Sequence, residues 1–295
     1  MPSAPFDSVD QMSDPLTLVL FAVFGLAVGS FLNVLIVRVP AGESLLSPPS
    51  KCPLCENPIA PRDNIPILSW LLLKGKCRHC GEPIPAGYPL VEAGSMVLWV
   101  LAALAFGQVI VAVPYALLFS ILLALSVIDL ELYILPNRIT YPSIIGSLVV
   151  IPVLAAAVTD DPVRAVTYAL MGAAIFAGVL GVTLLGWLLI MKKEGMGLGD
   201  VKLAVLLGLW LGFLSPILPV VALIASSVLG LVVGLAIMVA RRESKPFPFG
   251  PWLALGTIVV VLFAGPILDF YGYTTDIELA SAVAGSTSSA QVPGR

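Results

Sequence analysis

The chain has 295 residues, of which 59% are hydrophobic and 11% charged, with a net charge of −3 and a mean hydropathy of +1.03. A soluble domain carries about 25% charged residues, so this composition excludes one and requires a lipid bilayer as partner. The sparse charges build no basic field for nucleic acid, and what informs is where they fall.

Residues 1–15 hold Asp7, Asp10 and Asp14 and no Lys or Arg. That is the reverse of the basic start of a signal peptide. The segment reads as an extracytoplasmic N-terminus, and the first apolar run as a retained span at 16–37. A span needs about 20 apolar residues. Seven further runs approach or meet that length, at 88–106, 109–128, 139–158, 165–191, 201–215, 217–240 and 249–269. In lipid every backbone group must be paired within its own segment, and the runs lack period-2 alternation. The expected fold is therefore an all-α polytopic membrane protein of about eight transmembrane helices. Within the first span, Gly29 to Asn33 presents a small face and one amide, which helix packing explains.

Residues 38–87 form a polar loop that contains all four cysteines, as Cys52-Pro-Leu-Cys55 and Cys77-Arg-His-Cys80. Two C-x-x-C knuckles supply four thiolates for a tetrahedral, structural Zn2+, making this a small zinc-binding loop domain. His79 sits between two ligands as a solvated residue. Between the knuckles, Asp63 to Trp70 mixes turn formers with an apolar run suited to the membrane surface. Glu92 follows at the start of the second span. It reads either as a solvated helix end or as a buried functional carboxylate.

Asp129 lies in Ser126–Pro136, embedded in apolar sequence, and Asp200 closes the glycine run Gly195–Asp200. An ionisable residue beside a span is costly unless it works or is paired. Asp129 could instead pair with Arg138, with Glu131 facing elsewhere and Pro136 stopping the helix. Asp200 could merely cap the sixth span. Gly197 and Gly199 would let an extended peptide approach the carboxylate. Two spans separate the aspartates, so both lie at one membrane depth, where they could activate one water. Pro246 to Pro251 leads into the last span as an extended strip. Residues 276–295 have the composition of a disordered tail.

Orientation follows from the basic residues. Thirteen of the 15 Lys and Arg fall on one side of the eight-span arrangement. The positive-inside rule makes that side cytoplasmic and puts both termini outside. The cysteine loop and both aspartates then face the cytoplasm.

These residues resemble the type IV prepilin peptidases, bifunctional membrane aspartyl enzymes. The resemblance runs from about residue 20 to 265. It rests on GSFLNVLIVRVP at 29–40, the paired C-x-x-C motifs, DNIPILSW at 63–70, YPLVE at 88–92, IDLELYILPNRIT at 128–140, GMGLGDVKL at 195–203 and PFGPWLALG at 248–256. It implies cleavage of prepilin and pseudopilin leaders at the cytoplasmic face of the bacterial inner membrane, then N-methylation of the new terminus with S-adenosylmethionine. It places Asp129 and Asp200 at the catalytic positions, within a seven-helix peptidase domain at 88–275. It makes Cys52, Cys55, Cys77 and Cys80 the zinc ligands of a methyltransferase-associated loop. Glu92, Gly197, Gly199 and Asn33 are candidates for binding substrate or cofactor. Two departures stand out: Asn137 where Asp is common, and Gly87 where a basic residue is frequent. Rival readings are a secondary transporter with a carboxylate proton relay, and a non-enzymatic scaffold built around the zinc loop.

Overall fold

The structure, a computed structural model, describes residues 12, 14–191, 197–241, 248–273, 275 and 277. Helix α1, Pro15–Ala41, starts where Asp14 accepts the amides of Leu16 and Thr17 and Pro15 fills the first helical position. It stops where Gly42 turns left-handed at φ +75°, with the Glu43 amide returning to the Arg38 carbonyl at 3.0 Å. The cysteine loop follows, with a 3-10 turn at Pro61–Asp63 and a short α2 at Leu68–Leu72. Then come α3 (Gly87–Ala105), α4 (Val109–Leu132), α5 (Asn137–Val158) and α6 (Pro162–Met191). The chain continues with α7 (Leu198–Leu214), α8 (Leu218–Arg241), α9 (Gly250–Leu262) and α10 (Ala264–Tyr271). Among the described residues there is no strand, only two isolated bridges in the cysteine loop.

Eight apolar segments thus occupy the eight expected places, but they are not alike. Among the described residues six helices are long and apolar enough to cross a membrane, and the α9–α10 pair is a seventh if its two halves make one span. That pair, in the place of the span expected at 249–269, bends by 73°. Pro266 accounts for the bend: it has no amide to donate to Leu262, and its ring crowds that carbonyl. The 17-residue α7 is only about 25 Å long at ~1.5 Å per residue. It need not match the bilayer, because Leu206 to Leu214 are all buried within the protein.

Two glycine contacts set the close helix packing. A Cβ on Gly25 would lie 2.8 Å from the Met96 Cα, and one on Gly29 2.7 Å from the Glu92 Cα, so α1 meets α3 at backbone distance. This is the packing role expected of the small face in the first span. Likewise a Cβ on Gly212 would lie 3.0 Å from the Gly172 Cα, pressing α7 onto α6. Polar side chains lock the interior. The Tyr115 hydroxyl on α4 donates to the Trp210 carbonyl on α7 at 2.8 Å, and the Trp210 indole donates to Ser147 on α5 at 2.9 Å. The Trp99 indole on α3 donates to Ser120 on α4 at 2.9 Å. Each bond satisfies a group that has no water to turn to. Tyr115 lies near the start of α4 and Trp210 near the end of α7, so two helices that both run along the bundle are antiparallel here. The end of α4 and the beginning of α7 therefore share one end of the bundle.

Candidate active site and metal centre

Asp129 occupies the last turn of α4 and is 6% exposed. The helix ends not at Pro136, as expected, but at Tyr133. That residue turns left-handed at φ +57° and sends its amide back to the Asp129 carbonyl at 3.0 Å. Pro136 instead flanks the start of α5. The Asp129 carboxylate does not pair with Arg138. It accepts the Gly250 amide at 3.1 Å, at the first residue of α9. A carboxylate suits a helix N-terminus, where amides lack intrahelical partners. A Cβ on Gly250 would lie 2.6 Å from Asp129 Oδ2, so only glycine leaves that carboxylate in place. Glu131 is exposed, as its spacing from Asp129 requires.

Asp200 is 8% exposed and lies in the first turn of α7, inside the helix. Gly197 is the capping residue, and the Asp200 amide donates to its carbonyl at 3.2 Å. The capping reading of Asp200 is therefore corrected: its side chain is free for another task. Its carboxylate lies within reach of the Asp129 charge. Leu135 bridges the same space. Its Cδ1 would meet a Cβ on Gly199 at 3.3 Å and one on Gly250 at 3.5 Å. Gly199 thus leaves room for Leu135, whereas a Cβ on Gly197 would meet nothing closer than the Gly199 nitrogen at 3.7 Å. Gly195 and Pro246–Phe247 lie outside the described residues. Beside the pair, Lys202 donates to Asn137 Oδ1 at 2.9 Å and sits 5.1 Å from the Tyr141 ring centre, tying α7 to α5. Sequence reasoning missed Gly250 as the donor to Asp129 and Lys202 as the tie. Only tertiary contact reveals either.

The cysteine loop is built twice over. Antiparallel bridges join Lys51 to Pro58 and Lys76 to Pro83. In each knuckle the first cysteine's amide donates across the hairpin, Cys52 to Asn57 at 3.0 Å and Cys77 to Glu82 at 2.8 Å. The residue four positions after that cysteine turns left-handed, Glu56 at φ +57° and Gly81 at φ +71°. The four sulfurs lie within 4.8 Å of one another, with Cys52–Cys80 at 3.8 Å and Cys55–Cys77 at 4.0 Å. A tetrahedron with metal–sulfur bonds of about 2.3 Å has edges of about 3.8 Å, whereas a disulfide would need about 2.05 Å. The cluster could hold a metal ion. Backbone bonding from Glu82 favours the Cys80 thiolate, but desolvation and the sulfurs of Cys77, Cys55 and Cys52 outweigh it and push that thiol up to about 12. Four crowded thiols need a cation before all can ionise. His79 is exposed and is not in the cluster.

The segment between the knuckles folds back on the bundle. Arg78 grips Asp63 through two bonds of 2.8 and 2.6 Å, and its hydrogen bonds hold the Asp63 carboxyl below the usual carboxylate range. The Trp70 indole donates to the Ile84 carbonyl at 3.1 Å. Ile67 takes φ +59°, and its amide donates to Glu92 Oε2 at 2.7 Å. Asn33 on α1 donates to the Tyr88 carbonyl at 3.1 Å. Asn33 and Ser30 line the same cavity as Glu92. The candidate residues therefore form two groups. Asp129, Asp200 and Gly199 meet at the α4–α7–α9 corner, and Glu92 and Asn33 meet beside the cysteine loop. The second group lines an open cavity of about 450 Å3 between α1, the loop and α3.

Comparison with known proteins gives two matches in chain order. The Bacterial Peptidase A24 N-terminal domain matches residues 23–106, and the Type IV leader peptidase family matches residues 116–235. A prepilin leader peptidase/N-methyltransferase of Aeromonas hydrophila is 37% identical over 280 residues, covering 85% of this chain and 92% of the relative. One of the same name from Myxococcus xanthus is 39% identical over 233 residues, covering 79% of this chain and 66% of the relative. A type 4 prepilin-like proteins leader peptide-processing enzyme of Escherichia coli O78:H11 is 39% identical over 266 residues, covering 82% and 93%. No solved structure matches. Profiles across both halves and this level of identity over most of the chain make the protein a member of the type IV leader peptidase family.

Proposed function

We propose that the chain is a bifunctional prepilin peptidase: it removes the leader of prepilins and pseudopilins, and it N-methylates the terminus so released. The observation that carries the peptidase half is the meeting of Asp129 and Asp200. They sit on helices separated by two crossings, both are buried, and Leu135 packs against the glycines beside each of them, Gly250 and Gly199. One carboxylate takes a proton from water while the other, protonated, polarises the scissile carbonyl. Attack by the water oxygen gives a tetrahedral intermediate; the carboxyl that took the water's proton passes it to the leaving nitrogen, and the C–N bond breaks to release the new amine. The Gly250 amide holds Asp129 in orientation throughout. Asp129 and Asp200 are the catalytic pair, and Gly197, beside Asp200, is open to an extended leader peptide.

The distribution of Lys and Arg supports an inner-membrane protein with this end in the cytoplasm and both termini outside. Cys52, Cys55, Cys77 and Cys80 hold Zn2+: four thiolates at tetrahedral spacing suit it, and it would staple a loop that has no core of its own. S-adenosylmethionine supplies the methyl group when bound. Residues 38–87 serve methyl transfer and 88–275 serve cleavage. The transporter and scaffold readings explain neither half of the relatives' names. The test is a gel shift of a co-expressed prepilin. Asp129→Asn and Asp200→Asn should each leave it uncut, and a variant cutting at the wild-type rate would refute the peptidase reading.

A further inference from the structure

We propose that the cavity between α1, the cysteine loop and α3 is the methyl-transfer chamber, in which Glu92 binds the free N-terminal ammonium of the acceptor chain and takes its proton. The inference rests on the methylating half of the proposed function.

Charge is the first support. Glu92 is 9% exposed and lines the cavity. It accepts the Ile67 amide at 2.7 Å, a donor but not a cation. The cations that line the same cavity are committed elsewhere. Arg38 on α1 donates to the Ser44 and Pro48 carbonyls, Arg78 grips Asp63, and Lys51 pairs with Glu56. The other ionisable groups on these walls are Glu43 just past the end of α1, Cys52, Cys77, His79 and Glu82 in the loop, and Tyr88 on α3. A buried carboxylate is tolerated when it is paired, and an organic cation is the partner this one lacks.

Backbone strain is the second. Ile67 is β-branched yet sits at φ +59°, a region such residues rarely enter. Its amide points at Glu92 Oε2 from there. Strain of this kind persists where the surroundings over-determine it, and it clusters at working sites. Here it aims one carboxylate oxygen, Oε2, from the cavity wall.

Size and walls are the third. About 450 Å3 falls within the ~300–1,000 Å3 typical of small-molecule sites. The Trp70 indole on its wall is pinned by Ile84, and a Cβ on Gly75 would touch it at 2.9 Å. An aromatic face beside carboxylates suits a nucleoside that carries a methylsulfonium. The chamber also lies at the same end of the bundle as Asp129 and Asp200, because α3 and α4 are consecutive and antiparallel. The freed terminus therefore reaches it without crossing the membrane.

The chemistry balances. The ammonium N–H bond breaks and its proton passes to the Glu92 carboxylate. The freed lone pair forms a bond to the methyl carbon as the methyl–sulfur bond breaks, its electron pair staying on sulfur. The product leaves as a methylated ammonium, and Glu92 returns its proton to water.

The test uses full-length protein in lipid nanodiscs, S-adenosylmethionine and a synthetic peptide with a free N-terminus. Glu92→Gln should slow methyl transfer at least about tenfold at pH 7. The deficit should close as the pH rises through the amine's own pKa of about 8, because the amine then needs no base. Glu92→Asp should recover part of the rate at pH 7. Equilibrium dialysis of S-adenosylmethionine should show near wild-type binding to Glu92→Gln and severalfold weaker binding to Trp70→Leu, with metal content unchanged in both. A Glu92→Gln enzyme with the wild-type rate and pH profile overturns the proposal, as does a loss equal at every pH. If Glu92→Gln does not fold, the Trp70→Leu dialysis and the rate of Glu92→Asp decide, and unchanged values of both overturn it. A wild-type enzyme that methylates no peptide would instead end the methylation reading itself.

Discussion

The carboxylate pair and the cysteine cluster store their geometry in different places. Asp129 and Asp200 come from distant parts of the chain, and what aligns them is the packing of α4, α5, α7 and α9. The Tyr115–Trp210–Ser147 chain, the Gly250 amide and the Lys202–Asn137 bond each fix one helix against another. The cysteines come from one loop, and its bonds are mostly local, closing two short hairpins. Such a loop buries almost no core of its own: Cys52, Ser69 and Gly75 are its buried residues between 43 and 86. One site is held by a bundle, and the other is a loop whose four sulfurs could be held by a metal ion. The two should therefore fail separately.

The largest separation is chemical. Asp129→Asn or Asp200→Asn should cut leader cleavage by about 10²–10⁴-fold, the worth of a positioned general acid or base. Metal content should stay at the wild-type value by atomic emission. Loss of metal from either variant would break the comparison, because it would mean that the corner and the loop fold as one.

Cys52→Ser, or treatment with a strong chelator, tests the other side. Metal binding drives the folding of small thiolate sites, with about 10–16 kcal/mol measured for zinc-finger peptides. The loop should therefore lose its fold, and trypsin should cut after Lys74, Lys76 and Arg78 many-fold faster. Band mapping reads this, while the thermal transition of the helical bundle should move little. An unchanged digestion pattern would show that the loop needs no ion.

Gly250→Ala sharpens the contrast within the bundle. The added carbon would sit 2.6 Å from Asp129 Oδ2, so the carboxylate must move. A displacement of about 1 Å at a reacting group can cost ~10²-fold. Cleavage should fall by about that factor through kcat, with KM and metal content held. A rise in KM alone would place Gly250 in leader binding instead.

Much of this was legible in the chain. Asp129 and Asp200 stand out because charge is expensive beside a span, and the cysteines because their spacing fits a tetrahedron. The eight apolar segments follow from run length, and the crossing parity puts both aspartates at one end. What stayed hidden depends on long-range contact. No local pattern tells that Gly250 donates to a residue 121 positions away. Asp200 looked like a cap because Asp favours that place, but Gly197 takes it and leaves Asp200 inside the first turn. The ending of α4 at Tyr133 was missed because a tyrosine gives no warning of a left-handed turn, whereas Pro136 advertises a stop. In the last segment apolar length masked the break at Pro266.

The smallest effect separates backbone from ion within the loop itself. Glu56 and Gly81 hold equivalent places in the two knuckles, and both are left-handed. Glycine adopts that conformation freely, whereas an L side chain costs roughly 1–2 kcal/mol there. Glu56→Gly would remove that cost and would also lose the ion pair to Lys51, 3.4 Å long between side chains 50% and 75% exposed. Such surface pairs are worth about 0–1 kcal/mol, and glycine adds entropy to the unfolded chain. The net should be neutral to about 1 kcal/mol stabilising, read as slower metal release to a chelator. Faster release would mean that the Glu56 side chain, and not its backbone, holds the first knuckle closed. The likeness between the two knuckles would then stop at their cysteines.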